Sequence, residues 1–303
     1  MKSRTVWIVV AFCATTATLT AQPLGRQDAP VFRQELRLQP MYFGNFFQAP
    51  IGSGLEEDIR GLGVEYRAAY RVWTGTDAFG HLNVLDFDER GKKTSYGGRV
   101  GLAHDGERHD YSAYVDHGIN RSSFDIAGST ETGDVTTFAG EYSFRVTEDW
   151  QLGVEAETDR QRFTSPRERN NDGAYFGANV RYRGLGYKFM PEVGYVAGSR
   201  DVVDPTENYD ESYWYIGFSS SPTRKVYLSL TYRDRQREYT TSDITSSRFG
   251  ADEQRDQWTA SASYRHTDHV AYILYYSKDN ADSSRANRDF NTDFLLLAVS
   301  VGF

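Results

Sequence analysis

From Phe32 to the C-terminus the hydrophobic pattern of this chain has period two, and no helical period of any length replaces it. Between Gln257 and His266, Trp258, Ala260, Ala262 and Tyr264 fall on one face. Thr259, Ser261, Ser263 and Arg265 fall on the other. Successive side chains on a strand point to opposite sides, so such a segment is a strand with one apolar and one wet face. The pattern recurs. Leu62, Val64, Tyr66, Ala68 and Tyr70 oppose Gly63, Glu65, Arg67, Ala69 and Arg71. Trp150, Leu152, Val154 and Ala156 oppose Gln151, Gly153, Glu155 and Glu157. Phe176, Ala178, Val180 and Tyr182 oppose Gly177, Asn179, Arg181 and Arg183. Trp214, Ile216 and Phe218 oppose Tyr215, Gly217 and Ser219, and Val226, Leu228, Leu230 and Tyr232 oppose Tyr227, Ser229, Thr231 and Arg233. Only Leu82–Phe87 lacks two clearly distinct faces.

Connections between these runs alternate between short and long. Thr147-Glu148, Gly184-Leu185-Gly186, Ser221-Pro222-Thr223 and Thr267-Asp268 read as tight turns. Gly118–Gly133, Thr164–Asp172, Ser199–Asp210, Thr240–Gln254 and Asn280–Arg288 read as long polar loops. Short turns at one end and long loops at the other are the layout of a transmembrane barrel. The runs number about 14, with 12 as the second choice, and termini on the same side require an even count. The expected fold is all-β, a closed antiparallel transmembrane β-barrel over residues 32–303, one domain.

Composition fits that reading once half of each strand is allowed to be wet. Mean hydropathy is -0.62, yet aromatic residues make up 15% of the chain. Only alternate residues of a barrel strand face lipid, so overall hydropathy stays low. A net charge of -8 argues against nucleic-acid binding, which needs a basic surface.

The first residues read differently. Lys2 and Arg4 precede the apolar run Val6–Ala14, and Ala21 is a plausible cleavage point, so residues 1–21 are expected to be a cleavable signal peptide. Residues 22–31 would be a short periplasmic segment. Cys13, the single cysteine, lies inside the signal, so the mature chain is expected to hold no disulfide, no thiolate metal site and no cysteine nucleophile.

The chain ends FLLLAVSVGF. Leu295, Leu297, Val299, Val301 and terminal Phe303 share one face. This resembles the assembly signal of bacterial outer-membrane barrel proteins, and the whole layout is similar to monomeric porins of about 14 strands. No motif accompanies the second likeness, so no residue role is carried over. The resemblance implies residence in the bacterial outer membrane, lipid contact, recognition of the last strand by barrel-assembly machinery, and passage or export of small polar solutes or saccharides by a monomer.

Apolar faces toward lipid leave the other set for the lumen. That set is Glu65, Arg67, Arg71, Arg99, Asp116, Glu141, Arg145, Glu155, Glu157, Asp159, Arg181, Arg183, Glu192, Arg233, Arg235 and Arg265. Glu155, Glu157 and Asp159 lie on one strand and Arg181 and Arg183 on the next, so cross-strand neutralisation between them is expected. Such residues would form either a charged constriction or wall-stabilising ion pairs. Trp150, Trp214, Tyr232, Trp258 and Tyr264 are candidates for the aromatic girdle.

Two other function classes remain in view. One is a surface barrel whose loops bind a partner, for which Phe124, Phe163 and Phe290 would serve as loop aromatics. The other is an outer-membrane enzyme, which would need Ser or Asp within reach of His117. His266 and His269 flank a short turn beside Asp268, and His104 and His109 flank Asp105-Gly106-Glu107-Arg108. The Asp-rich stretch Asp279–Asp293 lacks calcium-loop spacing, and no metal or cofactor is expected.

Overall fold

The computed structural model describes residues 32–44, 58–87, 94–124, 130–163, 169–185, 188–246, 248–284 and 289–303. The proposed signal peptide and the segment to residue 31 lie outside them.

Fourteen antiparallel strands form a closed barrel in simple up-and-down order. They are β1 (Phe32–Gly44), β2 (Ile59–Trp73), β3 (Thr76–Phe87), β4 (Ser95–Asp105), β5 (His109–Phe124), β6 (Thr130–Arg145) and β7 (Trp150–Phe163). The second half comprises β8 (Asn171–Tyr182), β9 (Met190–Val202), β10 (Tyr209–Thr223), β11 (Val226–Tyr239), β12 (Asp252–Arg265), β13 (Val270–Ser283) and β14 (Phe290–Gly302). Closure pairs β1 with β14, with Leu36 opposite Val301 and Tyr42 opposite Leu295. A closed sheet leaves no backbone group unpaired in hydrocarbon, where each would cost several kcal/mol.

Side chains sort by parity. Leu62, Val64, Val100, Leu152, Val154, Phe176, Val193, Ile216, Leu274, Leu297 and Val299 are exposed on the outer face. Their strand neighbours Glu65, Arg99, Gln151, Val196, Tyr275 and Leu296 are buried within the wall's inner face. Exposed apolar residues in every strand are the reverse of a water-soluble protein, and they mark the surface as lipid-facing.

Five sequence expectations change. The segment Leu82–Phe87 is part of a full strand with two distinct sides: Leu82 and Val84 face out, and His81, Asn83 and Leu85 face in. It looked ambiguous because apolar Leu85 faces inward, into the cluster described below. The β10–β11 turn falls at Arg224-Lys225, not Ser221-Pro222-Thr223. There β10 runs through Pro222 with a register irregularity between Ser220 and Thr223, as a residue lacking an N–H demands. The proposed loop Gly118–Gly133 is mostly strand. A bulge between Gly118 and Arg121 carries Asn120 at φ 53, after which pairing resumes from Arg121 to Phe124. The loops Thr164–Asp172, Ser199–Asp210, Thr240–Gln254 and Asn280–Arg288 are likewise shortened by strand on one or both sides. Their strand portions are polar on both faces because they rise above the membrane, and so they read as loop.

The fifth change concerns the loop aromatics. Phe163 ends β7 and Phe290 begins β14; both are buried on the inner side. Phe124 ends β5.

Where the barrel closes, the inner face is apolar. Met41, Phe43, Leu85, Tyr275, Leu296 and Ala298 form a buried cluster, with Ile273 and Phe294 packed against it. Phe43 and Phe294 rings lie 4.4 Å apart across the β1–β14 seam. These contacts join the two ends of the chain, the pairing with the largest loop-closure cost.

Candidate functional site: the lumen

The outer surface fixes where the lumen lies relative to the membrane. At the long-loop end, Tyr42, Trp214, Tyr232 and Tyr276 point outward and donate to Asp58 (2.7 Å), Asp234 (3.0 Å), Asp256 (2.8 Å) and Asp293 (2.6 Å). Trp214, Tyr232 and Trp258 pack in sequence, the first pair edge-on and the second tilted, with centroids 5.4 and 4.7 Å apart. Each ring keeps its apolar body in the membrane and its polar tip at the headgroup level. At the short-turn end, Trp150 packs on Tyr182 at 4.9 Å and Tyr264 sits exposed. Trp258 and Tyr264 are six residues apart on β12, roughly 20 Å of strand at about 3.4 Å per residue. Strands β10 to β12 continue several residues beyond the girdle. Trp214 therefore sits mid-strand rather than at a strand end.

Every proposed lumenal residue falls on the inward set, and the structure groups most of them into three networks. The first crosses β1 to β5. Glu65, 1% exposed, accepts from Gln39 (3.2 Å), pairs with Arg67 (2.9 Å) and lies 3.5 Å from His81 Nδ1. Arg37 bridges Glu35 and Glu65. His81 Nε2 is 3.8 Å from Asp116, which pairs with Arg99 at 3.0 Å. Arg99 stacks on Tyr114 at 4.0 Å. Arg71 and Arg33 share Asp77. Arg145 approaches Asp110 at 3.9 Å, and Arg265 is half-buried at the short-turn end of β12.

The second network lies at the long-loop mouth. Arg200, 2% exposed, donates to Asp159 (2.6 and 2.7 Å) and Asn171 (2.5 Å). Arg237 donates to Glu211 (2.6 Å) and stacks on Tyr209 at 4.1 Å. Arg255 pairs with Glu253 and stacks on Phe290 at 5.1 Å. Above them Arg248, from the β11–β12 loop, donates to Glu207 (2.9 and 3.0 Å) and stacks on Tyr239 at 4.5 Å. Glu207 belongs to the 3-10 turn Pro205–Glu207 of the β9–β10 loop. Tyr239 is inward-facing, so this loop leans over the mouth.

The third network is at mid-height, where the expected neutralisation of β7 acids by β8 arginines does not occur. Register is the reason: Glu155 is paired with Gly177 and Glu157 with Tyr175, while Arg181 is paired with Gln151. Arg181 instead donates to Glu192 (2.7 Å), and Arg183 to Gln151 (3.4 Å). Asp159 goes to Arg200. Among the described residues, no guanidinium pairs with Glu141, Glu155 or Glu157. Glu141 stands directly opposite Glu155 and is solvent-exposed, although it points inward. Further round, Arg233 stacks on Tyr213 at 4.6 Å and donates to Gln257 (3.3 Å); Arg235 is 3.6 Å from Glu211.

The lumenal residues missed in the sequence were Arg37, His81, Arg200, Glu211, Arg237, Arg255 and the inward tyrosines Tyr175 and Tyr213, whereas Tyr215 already lay on the inward face of its alternation. Extending the same alternation to the true strand ends would have found them.

His117, the candidate enzymatic histidine, pairs across to Thr136 on the outer face, and its Nδ1 lies 2.9 Å from Thr136 Oγ1. It therefore points away from the lumenal carboxylates.

No protein-family model and no curated protein matches the sequence. Solved structures do resemble the fold. The TodX deltaS2S3 mutant, a monoaromatic hydrocarbon channel, shares 11% identity over 95% of this chain and 94% of its own, with a TM-score of 0.56. An outer-membrane channel of Pseudomonas putida F1 shares 10% identity over 91% of this chain and 97% of its own, with a TM-score of 0.53. Identity this low speaks for fold alone. Together with the lipid-facing exterior and aromatic girdles, it defines the chain as a bacterial outer-membrane β-barrel of 14 strands.

Proposed function

We propose that the barrel is a porin-like channel that lets small polar solutes or saccharides pass through a charged lumen. The observation that carries this reading is Glu141. It points into the barrel and is exposed, so the lumen has room for water at that level. Glu141, Glu155 and Glu157 form an acidic patch at mid-height. One register row then runs from Glu155 through Gly177, Val196 and Tyr213 to Arg235. Four strand spacings of about 4.8 Å put roughly 19 Å of wall between acid and base. Opposed charges lining a narrow aqueous path set up a transverse field that orients dipolar solutes and tunes ion selectivity. Fourteen strands lie between the eight that fill their own interior and the 16 to 18 that leave an open channel.

The test is single-channel recording of the refolded mature protein in a planar bilayer. Discrete steps that scale with salt are expected. Replacing Arg233 and Arg235 with Gln should move the reversal potential toward cation selectivity, and replacing Glu141, Glu155 and Glu157 with Gln should move it toward anion selectivity. A correctly folded barrel that stays silent overturns the channel reading. The surface-binding alternative has less support: the buried positions of Phe163 and Phe290 take away two of its three proposed loop aromatics.

A further inference from the structure

We infer that the inner wall of β8 to β10 is a binding track for a neutral linear oligosaccharide, with Tyr215 and Tyr175 as its stacking platforms. This names the solute class for the channel reading and rests on it.

The wall is built around glycines whose missing side chains make room for rings. Tyr215 is paired across to Gly194, and a Cβ on Gly194 would lie 2.4 Å from the Tyr215 ring. Tyr175 is paired across to Gly198, where a Cβ would fall 2.2 Å from the Ala174 carbonyl oxygen and 2.5 Å from Tyr175 Cδ1. No real Cβ comes that close, so both rings rest on bare backbone. With one side against the wall, each ring has its other side toward the barrel interior, where the Arg200 guanidinium also lies over Tyr175, 5.7 Å from its centroid. Both tyrosines are half-buried rather than sealed in. Their hydroxyls are tethered: Tyr215 donates to Glu192 (2.9 Å), and Tyr175 accepts from Arg200 (3.3 Å).

Gly194 and Gly198 are four residues apart on β9, roughly 13 Å at about 3.3 Å per residue. The two platforms therefore succeed one another along the strand, toward the long-loop mouth. Tyr213 lies between them, 6.5 Å from Tyr215 and carrying the Arg233 guanidinium. A pyranose has an apolar C–H face and a polar rim. The face suits a tyrosine ring, and the rim suits the flanking Asn179, Arg181, Glu155 and Glu192. Beyond Tyr215 the inner face of β11 and β12 carries Ser229, Thr231, Thr259 and Ser261. Two platforms in line suit a chain of such units, whereas a single aromatic cation needs one. Glu141, Glu155 and Glu157, which have no ion pair among the described residues, favour a neutral chain over a uronate.

The probes are maltohexaose and cellohexaose, with trigalacturonate and benzyltrimethylammonium as comparators, added to single channels of the refolded barrel. At least one neutral hexasaccharide should interrupt the current in a concentration-dependent way. Tyr215→Ala should weaken that block roughly three- to tenfold, the size of one aromatic contact. Gly194→Val, which tips the ring off the wall, should weaken it similarly. Tyr215→Phe should keep most of it. Heat-modifiable gel mobility would identify a variant that has not folded. A conducting wild type that neither hexasaccharide blocks overturns the proposal. So does a block indifferent to all three variants, or one given only by trigalacturonate or benzyltrimethylammonium. If the wild type does not conduct, the channel reading fails by itself. Calorimetric binding of the hexasaccharides to the folded barrel in detergent then decides the track: binding lost in Tyr215→Ala supports it, and no binding sinks it.

Discussion

Glu65 and Glu141 show how differently two lumenal carboxylates behave on one wall. Glu65 is enclosed by Gln39, Arg37, Arg67 and His81, and removing it takes away the carboxylate paired with Arg67 and one of the two that Arg37 bridges. Breaking one side of a buried pair is costly, so Glu65→Ala should destabilise the barrel by about 3 kcal/mol. Glu141 has no described ion pair and faces Glu155 directly. Like charges opposite one another are unfavourable, so Glu141→Ala should leave stability unchanged or raise it slightly. Urea titration in lipid vesicles, followed by tryptophan fluorescence, compares the two. Equal losses would sink the distinction. Both residues were placed on the inner side by alternation alone. Their unlike surroundings come from register, which puts Arg37 opposite Glu65, and Gly177 and Tyr175 opposite Glu155 and Glu157.

At the scale of elements, strands outrun the membrane. On β10 to β12 the outer girdle at Trp214, Tyr232 and Trp258 is followed outward by Asp234 and Asp256, and then by loops that bind each other. Arg248 is the tie: it is 4% exposed, stacks on Tyr239 and holds Glu207 of the neighbouring loop. Arg248→Ala should release the β11–β12 loop at a cost of about 2 kcal/mol, the worth of a charged hydrogen bond. Two readouts are expected to move together, namely faster proteolytic nicking within residues 240–251 and more frequent brief closures in single-channel traces. Unchanged nicking would show that the loop is held by other contacts. Nothing in the local sequence announces this tie, because Glu207 and Arg248 lie in separate loops that strand order brings together.

For the whole molecule, lipid is the solvent on one side and water on the other, and the same substitution should differ by face. Leu297→Arg places a charge on the exposed lipid face of β14 and should cost roughly 2 to 4 kcal/mol near the bilayer midplane. Thr231→Arg, at an inward position of β11, should cost much less. Refolding yield and unfolding midpoint in vesicles of fixed chain length measure both. Equal costs would contradict the assignment of faces.

The barrel was legible in the sequence because its rule is local. Alternation at one residue decides which side its neighbours take, and the membrane enforces that choice along each strand. Strand type, approximate number, inward charges and the girdle residues all follow from it. Strand ends were misread at Gly118–Gly133 and Asn280–Arg288. Beyond the bilayer both faces are wet, and the alternation that identifies a strand disappears. Only the tertiary structure settled which acid meets which base, since partners are chosen by register and by closure of β1 on β14. It also showed why glycine recurs on β8 and β9: atoms of a neighbouring strand occupy the space a Cβ would take, the Tyr215 ring at Gly194 and the Arg200 guanidinium at Gly173 among them, and that relation exists only once the strands are paired.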